Sequence, residues 1–318
     1  MNAMATPDFA GGAALEIALV NNMPDQALET TRAQFSQLLN FGAQGISFRL
    51  RCYTIASVPR SETARRALMQ NHDDIEALYA RGADALIVTG TEPRADALEQ
   101  EPYWQDFARL VDWARTHTLG TLWSCLAAHA AVQRLDGIKR RRASQKISGV
   151  FSCEVTASNW ATQGAGKLIS VPHSRYNGLD LRNIEESGYA VCSWSPLIGV
   201  DSFWRREPSL FLFTQGHPEY DADTLAREFR RDALRFLCGE RAEFPTPPEN
   251  YFSRATEERL GRLRNAFSSH ERRRYTDALN RILSQETPTH AWSNDAGRLY
   301  RNWLTMIASE KILGLRRA

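Results

Sequence analysis

The first half of this 318-residue chain alternates short apolar segments with amphipathic ones, and no other feature constrains its fold so strongly. Strands are predicted in LEIALVNN (15–22), ISFRLRCYTI (46–55), ADALIVTG (83–90) and GTLWS (120–124). Helices are predicted in TTRAQFSQLL (30–39), capped by Thr30 or Thr31, in DDIEALYARG, closed by Gly82, in YWQDFARLVDWARTH (103–117) and after Cys125. Repeated strand–helix units predict an α/β fold, a doubly wound and mostly parallel sheet flanked by helices.

The second half is richer in predicted strands and ends in helices. Strands are predicted in GVFSCEVTA, KLISVPHS, YAVCSWS and PSLFLFTQGHPEY, and a helix in DADTLAREFRRDALRFL (221–237). After the break FPTPPENYF, residues 254–283 are predicted to form a solvated helix or hairpin, and a closing helix is predicted to pack Trp303 and Leu304 inward. We therefore expect a disordered N-terminal extension (1–14), an α/β catalytic domain (15–243) and a helical C-terminal extension (244–318) packed on that domain.

Several classes of protein are excluded by composition. No apolar run approaches the length of a membrane span, and the first basic residue is Arg32, so we expect a cytoplasmic protein without a membrane partner. The five cysteines are scattered and form no C-x-x-C pair, which argues against a disulfide framework or a zinc knuckle. The seven histidines are equally dispersed, and no H-x-x-x-H pair has a nearby carboxylate. We expect no metal site.

A cysteine stands where a predicted strand gives way to a predicted helix, in SCLAAHAA (124–131). The default interpretation of a buried cysteine is packing, because its side chain is small and apolar. At a strand-to-helix turn, however, the helix N-terminus lowers a thiol pKa and offers N–H groups to a developing oxyanion. Cys125 is thus a candidate nucleophile, and the N–H of Leu126 is a candidate oxyanion donor.

A nucleophilic cysteine needs a base, and QGHPEY (215–220) ends a predicted strand. His217 and Glu219 stand at i and i+2 on an extended segment and point to one side, so the carboxylate can orient the imidazole. The alternative is a turn that carries only surface charges. His129 competes for the role of base, since it lies one helical turn from Cys125. A base there would lie beneath the nucleophile, so we expect His129 to be a packing residue.

The segments NNMPDQALETTRAQFSQLL, DALIVTGTEP, EPYW, SCLAAHAA, KISGVF, PHSRY, GHPEYDADTLAREFRRD and TPTHAWSNDAGRLYRNWL occur in one order. In this order the chain resembles the homoserine O-acyltransferases of the MetA type, also called transsuccinylases, which share the class I glutamine amidotransferase-like fold. The resemblance runs from about residue 15 to 308, with an apparent extra segment at 254–283. Several motifs in one order are far more specific than any single match.

The resemblance implies an enzyme that transfers an acyl group by a ping-pong mechanism. Cys125 would attack the thioester of an acyl-CoA, and His217, oriented by Glu219, would deprotonate the hydroxyl of L-homoserine. The product would be an O-acyl-L-homoserine of methionine biosynthesis. Lys146, Ser174 and Arg231 match positions that contact substrate in the family. The family also suggests a homodimer, with acyl-CoA as a co-substrate and no permanently bound cofactor.

The loop TGTEPRA departs from the family pattern, G-A-P followed by an apolar residue and then glycine for succinyl transfer or glutamate for acetyl transfer. Anchored on Gly90, it places Arg94 at the deciding position and Pro93, which has no N–H, at the second oxyanion donor. Anchored on Pro93, it makes Arg94 the donor and Ala95 the deciding residue. An arginine here favours an acyl chain that ends in a carboxylate, so we expect succinyl-CoA. Glu92 keeps acetyl-CoA open as the alternative donor.

Other functions stay open at this point. L-serine is an alternative acceptor. A glutamine amidotransferase-like amidase also places H-P-E beside a junction cysteine, although its turn is glycine-rich and SCLAAHA has no glycine. A non-catalytic binding module would not need all of Cys125, His217 and Glu219. The basic run KRRRASQK (139–146) is short and carries no interleaved aromatic residue, so we expect a solvated loop near the CoA phosphates rather than a nucleic-acid interface.

Overall fold

The computed structural model describes residues 13–156, 159–268 and 271–314. Its strands are β1 (Leu15–Val20), β2 (Phe48–Thr54), β3 (Asp73–Asp74), β4 (Ala85–Val88), β5 (Gly120–Ser124), β6 (Arg141–Val155), β7 (Leu168–Gly178), β8 (Ala190–Ser195), β9 (Gly199–Glu207) and β10 (Ser209–Thr214). Its helices are α1 (Leu28–Ala43), α2 (Glu62–Asn71), α3 (Ile75–Arg81), α4 (Trp104–His117), α5 (Leu126–Asp136), α6 (Leu181–Glu186), α7 (Thr224–Leu237), α8 (Arg254–Ala266), α9 (Arg272–Ser284) and α10 (Ser293–Ile312).

The described strands form one sheet of ten, in the order β3–β2–β1–β4–β5–β10–β9–β8–β6–β7. Neighbours from β3 to β10 in this order run parallel, and neighbours from β10 to β7 run antiparallel. The strands β4, β5 and β10 are buried along their whole length, as expected of apolar strands covered on both faces. The predicted α/β fold with a mostly parallel sheet is confirmed.

Helices pack against the sheet in two hydrophobic clusters. One cluster places Trp123, Phe211 and Phe213 of the central strands against α4 and α5. The other joins β1 and β4 to α1, α7 and the helices from α8 onward, and it contains Trp303 and Leu304, both fully buried as predicted. None of the described helices is long and apolar enough to cross a bilayer. The proposed extension at 1–14 falls largely outside the described residues, and the boundary at residue 243 stays a prediction.

Some predicted elements differ from the structure. Helix α1 begins at Leu28, after a short 3-10 turn (Asp25–Ala27), so the proposed cap at Thr30 or Thr31 is wrong. Helix α2 was not predicted, because it buries only Ala64 and Leu68 and lacks a continuous apolar stripe. The solvated loop expected at 139–146 is also wrong from Arg141 onward, where the chain is already in β6. Within 254–283, the described residues form the helices α8 and α9, which pack against each other.

Candidate active site

The turn between β5 and α5 holds Cys125 in an unusual backbone conformation, with φ 52° and ψ −112°. A residue with a side chain rarely adopts positive φ, and such a conformation costs about 1–3 kcal/mol, so the surroundings must hold it in place. The N–H of Cys125 donates to the carbonyl of Thr214 at 2.7 Å. The thiol is partly exposed, and Leu126 begins the helix behind it, where N–H groups have no partner within the helix.

Strand pairing brings the second half of the site beside this turn. Strands β5 and β10 are parallel neighbours, and their last residues, Ser124 and Thr214, are paired. The segment that follows β10 therefore leaves the sheet next to Cys125. In that segment Nδ1 of His217 lies 2.8 Å from Oε1 of Glu219, and both side chains are almost completely buried. The ring of Tyr220 stacks on the imidazole with 4.3 Å between centroids.

The pKa of His217 is raised well above its usual value. Burial alone would lower this pKa, because it penalises the imidazolium, but the charges and hydrogen bonds of Glu219 and Cys125 outweigh burial. The structure thus brings Cys125, His217 and Glu219 together. With Nδ1 directed at the carboxylate, Nε2 is the nitrogen left to interact with the thiol. Such an arrangement can support nucleophilic acyl transfer.

His129 occupies a different environment. It is fully buried, its Nε2 lies 2.8 Å from Oε1 of Gln215, and burial lowers its pKa to about 3. The same Gln215 oxygen accepts the N–H of Leu179 at 3.1 Å, and its amide donates to the carbonyl of Val200 at 2.6 Å. A neutral imidazole inside this network packs α5 against the end of β10, as expected of a packing histidine.

Lys146, Ser174 and Arg231 converge on two carboxylates of α7. The ammonium of Lys146 lies 3.2 Å from Asp232 and 3.7 Å from Glu228. The hydroxyl of Ser174 donates to Glu228, and Nε of Arg231 donates to Asp232 at 3.0 Å. Burial would raise the pKa of Asp232, but Lys146 and Arg231 outweigh it and lower the pKa. The three residues singled out in the sequence therefore share one charged pocket wall.

Three residues of this wall, Glu228, Asp232 and Tyr220, escaped sequence analysis. Glu228 and Asp232 stand at i and i+4 on α7, so one face of the helix carries both. The hydroxyl of Tyr220 donates to Glu228 at 2.7 Å while its ring stacks on His217, so Tyr220 joins the charged wall to the candidate base. In the sequence, the signal that could have identified the two carboxylates was their i and i+4 spacing on the helix after H-P-E-Y. Lys146 reaches the wall from a register shift between Arg142 and Ile147 of β6.

The loop after β4 adopts a conformation that was not predicted with the motif anchored on either Gly90 or Pro93. The N–H groups of Arg94 and Ala95 both donate to Oε1 of Glu101, at 2.5 and 2.7 Å. In this structure the N–H of Arg94 is therefore engaged with Glu101, and its role as the second oxyanion donor, expected in one of the two registers, stays a prediction. Gly90 lies against the start of α5: a Cβ there would lie 2.6 Å from Cβ of Leu126 and 3.0 Å from its nitrogen. The start of this loop, at Gly90, thus lies beside the residue that follows the candidate nucleophile.

A buried polar cluster supports the segment that carries His217. Nε2 of His173 lies 3.1 Å from Oδ1 of Asp201, and Nε of Arg175 donates to Nδ1 of His173 at 3.2 Å. A Cβ at Gly216 would lie 2.8 and 2.9 Å from these Asp201 and His173 atoms. Among the described residues, Cys153, His173 and Asp201 are the one group close enough to hold a metal ion. The adjoining Arg175 cation disfavours an ion there, and Arg175 and Ser193 donate hydrogen bonds to His173 and Asp201.

Comparisons with known proteins place the chain in context. The family model for homoserine O-succinyltransferase matches residues 9–312. A homoserine O-succinyltransferase of Bradyrhizobium japonicum is 45% identical over 297 residues, which cover 92% of this chain and 90% of the relative. One from Rhodopseudomonas palustris is 43% identical over 310 residues, with 97% and 93% of the two chains covered.

Solved structures show the same fold at low sequence identity. A glutamine amidotransferase from Thermotoga maritima superposes with a TM-score of 0.52 at 11% identity, covering 93% of this chain and 99% of that one. One from Methylobacillus flagellatus gives 0.51 at 14% identity, with 92% and 94% covered. These likenesses establish a glutamine amidotransferase-like fold and carry no information about the reaction.

Proposed function

The chain belongs to the homoserine O-succinyltransferase family, and from this premise we propose that it transfers the succinyl group of succinyl-CoA to the hydroxyl of L-homoserine. The products are O-succinyl-L-homoserine, an intermediate of methionine biosynthesis, and CoA. The observation that carries the proposal is the meeting of Cys125, His217 and Glu219 beside the wall formed by Glu228 and Asp232. A homodimer, which the family resemblance suggests, and a cytoplasmic location, which the sequence patterns suggest, stay predictions.

The first half-reaction forms an acyl-enzyme. The Cys125 thiolate attacks the thioester carbonyl, and the oxyanion receives the N–H of Leu126 and a second donor from the loop at Gly90. Collapse of this intermediate breaks the bond between the acyl carbon and the sulfur of CoA. The departing thiolate takes the proton of the His217 imidazolium, so that free CoA leaves as a thiol. His217 is then neutral, and Cys125 carries the succinyl group.

The second half-reaction uses neutral His217 as a general base. Acylation removes the negative charge of Cys125, which is one of the groups that raise the pKa of His217. The neutral Nε2 can then accept the proton of the homoserine hydroxyl while the oxygen attacks the acyl carbon. Collapse expels the Cys125 thiolate and restores the ion pair. Glu219 keeps the ring oriented through both steps, because its carboxylate accepts a hydrogen bond from the Nδ1–H group.

The charged wall supplies complementary groups for an amino acid. Arg231 is half exposed and can pair with the α-carboxylate through its fork of N–H donors. Glu228 is linked to His217 through Tyr220 and suits the α-ammonium group. The hydroxyl of Ser174 and the ammonium of Lys146 hold Glu228 in place. We propose that this wall presents the side-chain hydroxyl of homoserine to His217.

The choice of succinyl over acetyl rests on the loop after β4. Thr91, Glu92, Pro93 and Arg94 line a cavity of about 400 Å³. Arg94 is exposed at this cavity and is the cation that we propose for the free carboxylate of a succinyl chain, beside the carboxylates of Asp25, Glu92 and Glu101 that line the same cavity. Glu92 lines the same cavity and is the reason that acetyl-CoA stays the alternative donor.

A thiol-release assay with the purified protein tests the proposal. Succinyl-CoA or acetyl-CoA is paired with L-homoserine or L-serine, and free CoA is measured with a thiol reagent. We expect release that requires both succinyl-CoA and homoserine. Release with acetyl-CoA alone would overturn the donor and keep the mechanism. If no pairing releases CoA and the protein has glutaminase activity, an amidotransferase function would replace the proposal.

A further inference from the structure

The basic run at residues 139–142 is not used by the proposed reaction, yet it lies along the rim of the site. The guanidinium of Arg140 donates to the carbonyl of Asp96 at 3.2 Å, and therefore reaches the loop that follows β4. Two residues later, the guanidinium of Arg142 lies over the ring of Tyr176, 5.3 Å from its centroid. Lys146 continues from there into the charged wall at Asp232. Positively charged side chains thus line the rim from the loop after β4 to the pocket proposed for homoserine.

The cations of this rim are incompletely neutralised. Within the described parts of the chain, the exposed Arg142 forms no ion pair, whereas the neighbouring Arg141 pairs with Asp180 at 2.7 Å. Nη1 of Arg140 is buried and has no hydrogen-bond partner among the same residues. A buried donor without an acceptor is uncommon in a folded protein, so this N–H has capacity for an acceptor from water or a ligand.

An aromatic surface accompanies these cations. Tyr176 is 38% exposed, and it lies two residues after Ser174 on the same face of β7. Lys146, whose ammonium lies 6.0 Å from the Tyr176 centroid, also contacts the charged wall. An exposed ring beside arginine and lysine suits a nucleotide, because a base can stack on the ring while cations pair with its phosphates.

The opposite side of the rim is less suitable for a polyanion. The cavity beside the loop after β4 is lined by the carboxylates of Asp25, Glu92 and Glu101. Its buried Arg60 is already committed to Asp25 and to backbone carbonyls. A ligand with several phosphate charges is therefore attracted to the side of Arg142 and repelled from the side of Glu92.

We propose that Arg142 and Tyr176 bind the nucleotide end of the acyl donor, Arg142 through the phosphates and Tyr176 through the adenine. This inference rests on the proposed function, since it takes CoA as the carrier of the acyl group. The nucleotide lies outside the pocket where the thioester reacts. A contact with the nucleotide that is equally strong in the ground state and the transition state lowers the KM for the donor and leaves kcat unchanged.

Two donors that differ only in the nucleotide test the inference. Succinyl-CoA is compared with the succinyl thioester of N-acetylcysteamine, which lacks the nucleotide, in wild type, Arg142→Ala and Tyr176→Ala. We expect each variant to raise the KM for succinyl-CoA about tenfold, the loss typical of one charge-assisted hydrogen bond or stacked base. Neither kcat nor the kcat/KM for the truncated donor should change. Arg254→Ala, at a 92% exposed arginine of α8, is the control.

Two further results would overturn the inference. An unchanged KM for succinyl-CoA in both variants would show that the nucleotide binds elsewhere. An equal loss with both donors would show that the substitutions disturb the reaction centre rather than a nucleotide subsite. A wild-type protein that is inactive with either donor would instead contradict the proposed function itself.

Discussion

His217 has the most strongly perturbed environment among the residues proposed for chemistry. Its imidazole is buried, which opposes a positive charge, yet Glu219 and Cys125 raise its pKa well above the usual value. Protonation of His217 therefore persists to a higher pH than in a solvent-exposed histidine. The proposed first half-reaction needs this proton for the leaving thiolate of CoA.

Glu219→Gln removes the carboxylate that stabilises the imidazolium. The pKa of His217 then falls, so the alkaline fall in kcat/KM for succinyl-CoA should move to lower pH than in wild type. The measurement is a pH profile of kcat/KM for both proteins, with Glu99→Gln as a control at an exposed glutamate. An alkaline fall at the same pH in Glu219→Gln and wild type would contradict the proposed pairing.

Individual residues were predictable from the sequence when their patterns are local. Cys125 stands at a strand-to-helix junction, and His217 and Glu219 are two residues apart, so a short window contains each signal. Glu228 acquires its meaning only through Ser174, 54 residues away, and Tyr220. Glu101 looks like a surface carboxylate until the loop delivers two N–H groups to it. Long-range contacts of this kind have no signal in one sequence.

At the scale of elements, the segment after β10 depends on the cluster of His173, Asp201 and Arg175. The N–H of Gln215 donates to the carbonyl of Asp201 at 2.7 Å, and that of His217 to the carbonyl of Pro172 at 2.8 Å. Gly216 lies between these bonds, in direct contact with the cluster. The position of His217, the proposed base, is therefore set by the packing of β7 and β9 beneath it.

Gly216→Ala should displace this segment, because the new Cβ would lie 2.4 Å from Val171 and under 3.0 Å from Asp201 and His173. Overpacking of this kind typically costs about 1–3 kcal/mol. We expect kcat to fall at least tenfold and the melting temperature to fall as well.

The control for this substitution is Gly261→Ala. Gly261 lies within α8, where a Cβ would meet no atom within 4 Å. Alanine is favoured over glycine in a helix by about 1 kcal/mol, so this variant should be more stable and fully active. Full activity of Gly216→Ala would contradict the positioning role of the cluster.

Element prediction succeeded where apolar periodicity was strong. The buried strands β1, β4 and β5 and the amphipathic helix α4 were each predicted within a few residues. The start of β6 was missed, because Arg141 and Arg142 are exposed in an edge region and resemble a loop. Burial rather than strand formation is what a hydrophobic pattern reports.

For the whole molecule, strand order creates the site. The parallel half of the sheet places β5 beside β10, although 84 residues separate the end of β5 (Ser124) from the start of β10 (Ser209). The antiparallel half then brings Lys146 of β6 and Ser174 of β7 to the wall of α7. The α/β class was predictable from strand–helix alternation, but the return of β10 to the side of β5 is a tertiary choice that periodicity does not encode.

The central claim is that the succinyl group passes through a covalent bond to Cys125. The most direct test is mass spectrometry of the intact protein after mixing with succinyl-CoA in the absence of homoserine. We predict a mass increase of one succinyl group, mapped to the peptide containing Cys125, absent in Cys125→Ala and discharged by added homoserine. An unmodified wild-type protein that still turns over both substrates, or a succinyl group that persists in Cys125→Ala, would contradict the claim.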